Sequence, residues 1–456
     1  MSATTAAHTA VEVRPAAALR GELRLPGDKS ISHRALMLAL LADGESTIRG
    51  AGDGADVRST AGIVAALGAT VDRMPGGAGN VDYRVTSPGV GALRTPAATL
   101  DCGNSGTSLR LIAGILAGQP FPAVLDGDES LRGRPMGRVI EPLRVMGATI
   151  STGWRDQAPI GITGSSPLLA IDWATSVPSA QVKSSVLLAG LRATGTTRVR
   201  ESVATRDHTE RMLRARGVVV RSAPEGAVGR MVELDGGSVV QPLDEHVPGD
   251  PSAAAFWLVA GAIHRDAELR VAGVGVNPTR RAFIDLLRRM GASIEERPDD
   301  GVDGDAGPKG DEREPIADLV VRSSELHSIE LSAEETAGAI DEIPALCLAA
   351  AVAKGRSIIR GAGELRHKES DRIAGIVSGL RALGAWIGVE DGNDIAIFGR
   401  PGALRGATVD SRGDHRLAMT FAIAGLVAKG TTTILGADSV SISYPWFFTD
   451  LERIRS

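Results

Sequence analysis

One phrase recurs six times along the chain, and it restricts the possible folds more than any other feature. A polar motif leads into an Ala/Leu-rich stretch, then a turn, then a short β-branched stretch that often ends in Gly. The copies run Arg34 to Gly44 then Ser46 to Gly50, Leu109 to Gly118 then Phe121 to Gly127, and Ser184 to Gly195 then Thr196 to Arg200. They continue with Ala253 to His264 then Ala267 to Gly273, Ala345 to Gly355 then Arg356 to Gly361, and Leu417 to Gly430 then Thr431 to Gly436. Each first stretch is predicted as a buried helix and each second as a strand. The turns fall at 44, 118, 195, 264, 355 and 430, a period of about 75 residues.

A second phrase interleaves with the first: a helix end, Gly, a small residue, then a β-branched one. It stands at Leu67-Gly-Ala-Thr-Val71, Met146-Gly-Ala-Thr-Ile150, Arg216-Gly-Val-Val-Val220, Met290-Gly-Ala-Ser-Ile294 and Leu383-Gly-Ala-Trp-Ile387. Gly just past a helix end accepts the left-handed conformation that closes it. A sixth copy would fall past the C-terminus, so Val11 to Leu25 is expected to supply strands that close the last unit. Two helices and several strands per unit suit a closed α/β architecture rather than a thin solenoid.

The halves match each other. Leu25-Pro-Gly-Asp-Lys-Ser30 precedes the first copy and Val247-Pro-Gly-Asp-Pro-Ser252 the fourth, 222 residues apart. Pro-Gly pairs mark turns, and these two are read as crossovers between two three-repeat domains. One domain is 27–248; the other combines 1–26 with 249–456 and is discontinuous. The longest spacing, between 264 and 355, is explained by residues 295–314, a segment rich in Asp, Glu, Gly and Pro expected as an exposed acidic insertion at a hairpin tip.

Composition narrows the function. Of 456 residues, 43% are hydrophobic and 23% charged, which excludes wholesale disorder. Aromatics are only 3%, so Ala, Val, Leu and Ile must build the core. A net charge of −5 argues against a general nucleic-acid binder. The two cysteines, Cys102 and Cys347, exclude a disulfide framework and suit a reducing compartment. Eight histidines show no metal-ligand spacing, so no structural metal is expected. Met1 to Ala10 lacks the marks of a secretory signal, and no apolar run is long enough to span a membrane. A cytoplasmic protein is the expectation.

Each helix of the first phrase is preceded by polar residues, a natural anion site because helix starts expose unpaired N–H groups and a positive dipole end. Asp250 and Asp414 read as ordinary N-caps. Capping does not require Lys29, Arg34, Arg110, Lys183 or Arg416, because cations are unfavourable at a helix start; an anionic ligand spanning several starts would supply their partner. Further cations stand in loops: Arg132, Arg134, Arg206, Lys368 and Arg372. Arg suits bidentate binding of carboxylate and phosphate. An acidic chain that gathers cations in its motifs points to small acids bearing those groups. Gly27-Asp-Lys-Ser30 lacks a Walker A frame, Gly50 to Gly54 is no dinucleotide fingerprint, and no Gly-x-Ser-x-Gly elbow appears.

These residues carry a resemblance. Pro26-Gly-Asp-Lys-Ser-Ile-Ser-His-Arg34, Gly103-Asn-Ser-Gly-Thr107 with Arg110, Arg134-Pro-Met136, Pro178-Ser-Ala-Gln-Val-Lys-Ser184, Ser202 to Glu210, Asp341-Glu-Ile-Pro344, Lys368-Glu-Ser-Asp-Arg372 and Gly413-Asp-His-Arg416 run in order from 26 to 416. The chain resembles the 5-enolpyruvylshikimate-3-phosphate (EPSP) synthases of the enolpyruvyl transferase family. The resemblance implies an α/β, two-domain enolpyruvyl-transferase-like fold, each domain three βαβαββ repeats in an inside-out α/β barrel, with the active site in a cleft where the helix starts converge. It implies transfer of the enolpyruvyl group of phosphoenolpyruvate to the 5-hydroxyl of shikimate 3-phosphate, with release of phosphate and without a metal or organic cofactor. A cytoplasmic monomer acting in aromatic amino acid biosynthesis, a target of glyphosate, is implied as well.

Site roles follow the same resemblance. Lys29, Ser30, Arg34, Ser179, Ala180, Gln181, Arg206, Asp341 and Lys368 resemble the shikimate 3-phosphate ligands. Lys29, Gly106, Arg134, Gln181, Arg372 and Arg416 resemble the phosphoenolpyruvate ligands. Asp341 resembles the base for the 5-hydroxyl, Glu369 the proton donor to the methylene, and Lys29 a further catalytic group. Gly106 is explained by close approach of backbone to ligand. Two positions depart from some family members: Ile442 stands where they place a Lys, and Ala180 where they carry a second Ser. Rival readings are the enolpyruvyl transferase acting on UDP-N-acetylglucosamine, expected to use a reactive Cys, and a catalytically silent anion-binding protein on the same fold.

Overall fold

The computed structural model describes residues 10–298 and 313–455. Two compact units emerge: residues 27–247 with 313–314, here the continuous unit, and residues 10–26, 248–298 and 315–455, the discontinuous unit. The chain passes from one to the other at Pro26–Gly27 and again at Val247–Pro248.

The helices of the continuous unit are α1 (Lys29–Leu41), α2 (Ala55–Ala66), α3 (Gly106–Ala117), α4 (Glu129–Arg132), α5 (Gly137–Val145), α6 (Ala180–Gly190) and α7 (His208–Ala215). Those of the discontinuous unit are α8 (Pro251–Ile263), α9 (Ala282–Arg289), α10 (Ala333–Gly338), α11 (Ile343–Val352), α12 (Arg372–Ala382), α13 (His415–Val427) and α14 (Phe447–Arg453). The recurring phrase forms α1, α3, α6, α8, α11 and α13, each nearly all buried. The second phrase ends α2, α5, α7, α9 and α12, and Gly68, Gly147, Gly217, Gly291 and Gly384 all take positive φ.

Five of the six repeats form a four-stranded βαβαββ unit, and the sixth, with Thr408–Asp410, Thr432–Leu435 and Val11–Val13, has three strands. Leu100–Asp101 lies parallel to Pro122–Asp126 across α3, and the hairpin of Thr149–Thr152 with Ile160–Thr163 completes a four-stranded sheet. The third and fifth repeats repeat this order. In the first, the opening strand is Glu245–His246, paired in parallel with Asp43–Ala51. In the fourth it is Leu19–Arg24, paired in parallel with Ala267–Gly275. The segment 11–25 is therefore divided: only Val11–Val13 closes the last repeat, antiparallel to Thr432–Leu435, whereas Leu19–Arg24 opens the fourth.

Each unit has its own core of Ala, Val, Leu and Ile. Small residues let the helices approach closely: a Cβ on Gly114 of α3 would lie 2.2 Å from the Ser185 carbonyl oxygen of α6. The acidic insertion expected at 295–314 falls mostly at 299–312, outside the described residues. At its near end Ser293–Pro298 is a strand paired with Ile316–Arg322. At its far end Glu314 is half-buried, its carboxylate 2.7 Å from Nδ1 of His208.

Candidate active site

In the continuous unit the helix starts carry cations on tight polar tethers. Asp28 caps α1 by accepting from the Ile31 N–H at 2.9 Å. Lys29, the first residue of α1, pairs with Asp56 of α2 at 3.1 Å and keeps about a quarter of its side chain exposed. Ser30 lies beside it, its carbonyl accepting from Arg34 Nη1 at 3.0 Å. Arg34 is buried: Nε donates to Thr209 Oγ1 at 2.7 Å and Nη2 to Ser184 Oγ at 2.9 Å. Burial pushes its guanidinium down to about 10, against the pull of Glu210 and Asp28.

At the start of α3, Ser105 caps the Ser108 N–H, and Gly106 is the first helical residue. A Cβ on Gly106 would meet Arg110 Nη1 at 3.0 Å and Arg134 Nη1 at 3.4 Å. Two guanidiniums thus border this helix start in the space where a ligand was expected to approach. Gln181 joins α6 to α3, accepting from Arg110 through Oε1 and donating to Thr107 Oγ1 at 3.0 Å. Arg134 donates to Asn104 Oδ1 and Ser130 Oγ, while its buried Nε has no acceptor among the described residues. Ser179 and Ala180 form the start of α6, with Ser179 as cap, and Arg206 is half-buried in the loop before α7.

Lys183 corrects the sequence reading. It is a buried structural ion, 2.8 Å from both Glu201 and Glu210, and needs no external anion. Burial alone would lower its affinity for a proton; the two carboxylates reverse that and hold it raised. Arg132 likewise is taken up by Asp126.

The discontinuous unit gathers carboxylates around one buried cation. Arg372 opens α12; its Nε donates to Asp414 at 2.8 Å and its Nη2 to Glu369. Nη1 is buried without a hydrogen-bond acceptor among the described residues, with Asp341 3.6 Å away. An unmet buried donor costs about 1–3 kcal/mol, which a bound anion would offset. Burial would lower the Arg372 guanidinium, yet Glu369, Asp414 and Asp341 hold it above its ordinary value. Burial would raise Asp414, but Arg372 and His415 hold it below the usual carboxylate range. Lys368 also reaches Asp341 at 3.6 Å, and Arg416 Nη1 donates to the Asp341 carbonyl at 3.0 Å. Asp341, Lys368, Glu369, Arg372 and Arg416 therefore form one cluster. Asp414 is more than the cap it was read as: it caps the Arg416 N–H and also anchors Arg372.

The partners Asp56, Thr209, Ser184, Glu201 and Glu210 were not singled out from sequence. Only the need of cations in apolar helices for buried acceptors signals them, and it does not say which residues answer. Both cysteines are buried, and burial pushes each thiol up to about 12. Among the described residues no group of three or more His, Cys, Asp or Glu is arranged to hold a metal ion, and no helix is long and apolar enough to cross a membrane.

Repeated βαβαββ units with anion-ready helix starts define the enolpyruvyl transferase class of fold. EPSP synthase from Acinetobacter baumannii superimposes with a TM-score of 0.85 at 38% identity, covering 98% of each chain. The enolpyruvyl transferase NikO from Streptomyces tendae shares the fold, with a TM-score of 0.76 at 20% identity. The chain belongs to the EPSP synthase (3-phosphoshikimate 1-carboxyvinyltransferase) family, whose profile matches residues 13–451. A relative from Roseiflexus castenholzii, named 3-phosphoshikimate 1-carboxyvinyltransferase, is 48% identical over 96% of this chain and 97% of its own. One of the same name from Geobacter metallireducens is 46% identical over 97% and 98%.

Proposed function

We propose that the chain transfers the enolpyruvyl group of phosphoenolpyruvate to the 5-hydroxyl of shikimate 3-phosphate, releasing inorganic phosphate. The observation that carries the chemistry is the cluster in which Asp341 and Glu369 share the buried Arg372. Each substrate bears a phosphate of about −2 and a carboxylate, so uniting them needs several cations. In the continuous unit Lys29, Ser30, Arg34, Ser179, Ala180, Gln181 and Arg206 bind shikimate 3-phosphate, the phosphate taking the N–H groups of the α6 start. Gly106, Arg134, Gln181 and Lys29 bind phosphoenolpyruvate. In the discontinuous unit Lys368 and Asp341 add to the first set, and Arg372 and Arg416 to the second.

In the addition step the 5-oxygen bonds to C2 of phosphoenolpyruvate. Asp341 takes the hydroxyl proton and Glu369 gives a proton to C3. In the elimination step a proton leaves C3, the C2–O bond to phosphate breaks, and the double bond reforms. Arg372, holding Glu369 and lying beside Asp341, keeps both carboxyl groups in place for these transfers. The same reading makes the phosphoenolpyruvate groups the target of glyphosate.

The transferase that relies on a reactive cysteine finds no support in Cys102 and Cys347, whose thiols are buried and protonated. Two free, buried cysteines suit a cytoplasmic enzyme; the reading also makes it a monomer, with no nucleic-acid partner. A phosphate-release assay tests the proposal: phosphate and a new enol ether appear only when both substrates are present. Absence of either product would overturn it.

A further inference from the structure

Two pairs of side chains tie α1 to α2. Lys29 and His33 stand one turn apart on α1, and Asp56 and Thr60 one turn apart on α2, so each pair shares a helix face. Lys29 meets Asp56 at 3.1 Å, and His33 Nδ1 meets Thr60 Oγ1 at 2.7 Å. The outer rung is ionic and partly exposed. The inner rung is wholly buried, and burial keeps the His33 ring neutral. The reaction as assigned uses Lys29 and leaves His33 and Thr60 without a role.

The inner rung continues into α3. Thr60 Oγ1 lies 2.6 Å from Ser108 Oγ, and Ser108 Oγ donates to Ser105 Oγ at 2.7 Å. Ser105 caps α3 and directly precedes Gly106. Each hydroxyl has one proton to donate. Ser108 directs its proton to Ser105, so Thr60 donates to Ser108, and the His33 Nδ1–H donates to Thr60. All four side chains are buried, and a buried chain is fully satisfied only while its helices hold one register. Thr60 bonds to both neighbouring helices, α1 through His33 and α3 through Ser108. Loss of its hydroxyl removes the acceptor of the His33 N–H and the link to the α3 cap.

We propose that Thr60 is a positioning residue for phosphoenolpyruvate: its hydroxyl fixes the start of α3, with Gly106, in register with Lys29 of α1. This inference rests on the ligand roles given to Lys29 and Gly106 above. Both must meet one small acid, so the spacing between the two helix starts matters. Gly106 leaves little margin, since a Cβ there would meet Arg110 Nη1 at 3.0 Å. Arg34, assigned to the other substrate, has its own anchors in Thr209 and Ser184.

Steady-state phosphate release with each substrate varied in turn tests it on the full-length enzyme. Thr60→Val raises KM for phosphoenolpyruvate about tenfold, while KM for shikimate 3-phosphate and kcat each change by about threefold or less. Thr60→Ser, which keeps the hydroxyl, stays within about twofold of the parent. Ser108→Ala, which cuts the link to α3 and leaves Thr60 on His33, gives a smaller rise of the same kind and decides the matter should Thr60→Val fail to fold. Removing both partners of the inner rung, in Thr60→Val with His33→Leu, recovers stability in denaturant unfolding because no buried donor is left unmet; KM for phosphoenolpyruvate stays raised. An unchanged KM for phosphoenolpyruvate in the single variants, an equal rise for both substrates, or a KM that returns with stability in the double variant overturns the inference and leaves the assigned reaction standing. Absence of phosphate release by the parent overturns the reaction, and the inference falls with it.

Discussion

At the start of α1 a Lys follows the capping Asp and an Arg follows a turn later; at the start of α8 those positions hold Pro and Phe, and a neighbouring carboxylate docks there instead. The difference extends through the two units. In the continuous unit the acids near the helix starts are consumed by cations, Asp56 by Lys29 and Glu201 with Glu210 by Lys183. In the discontinuous unit Asp341 and Glu369 crowd one guanidinium and keep partial exposure. Both units supply cations to the proposed binding set, but the two acids proposed to move protons, Asp341 and Glu369, lie in the discontinuous unit.

The largest effect that could break this division concerns the proton carriers. Asp341→Asn and Glu369→Gln are each expected to lower kcat about 10²- to 10⁴-fold in the phosphate-release assay. A loss confined to KM would take these acids out of the proton transfers.

Next comes the buried ion of the continuous unit. Lys183→Met leaves Glu201 and Glu210 uncompensated and is expected to cost about 3–5 kcal/mol in denaturant unfolding. Replacing both acids with Gln as well should restore most of the loss. If Lys183→Met instead left stability intact and raised KM, Lys183 would be a ligand cation after all.

Arg134→Gln sharpens the comparison from the binding side. Loss of one charge-assisted contact is expected to raise KM for phosphoenolpyruvate about tenfold or more, with kcat changed far less. A fall in kcat alone would blur the division between units.

The smallest effect is on stability at low pH. His33 lies in a buried chain, Nδ1 to Thr60 at 2.7 Å and Thr60 to Ser108 at 2.6 Å, between α1, α2 and α3. Burial lowers its pKa from 6.5 to about 3. Because the folded value is the lower one, the neutral ring stabilises the fold above pH 6.5, and that contribution fades as pH falls from 6.5 towards 3. His33→Asn should flatten this acid limb in pH-dependent unfolding curves; an unchanged slope would show that other groups set it.

Much of the fold could be read because its signals are local. The Ala/Leu periodicity and the closing glycines located all six phrase helices, yet those helices begin two to five residues before the apolar stretch. Lys29 and Ser30 look like a motif, but they are already helix. The placement of Leu19–Arg24 and of Glu245–His246 could not be read, because parallel pairing links residues far apart and leaves no local mark. The site shows the same limit. Lys183 and Arg34 look alike as cations in apolar helices. Only the fold shows that one meets two carboxylates and the other two hydroxyls.

Calorimetric titration of shikimate 3-phosphate into the Asp341→Asn variant tests the division most directly. The account expects affinity within about threefold of the parent while turnover has collapsed, since most of the groups proposed to hold shikimate 3-phosphate, Lys29, Ser30, Arg34, Ser179, Gln181 and Arg206 among them, are unchanged. Affinity that fell in step with turnover would contradict it.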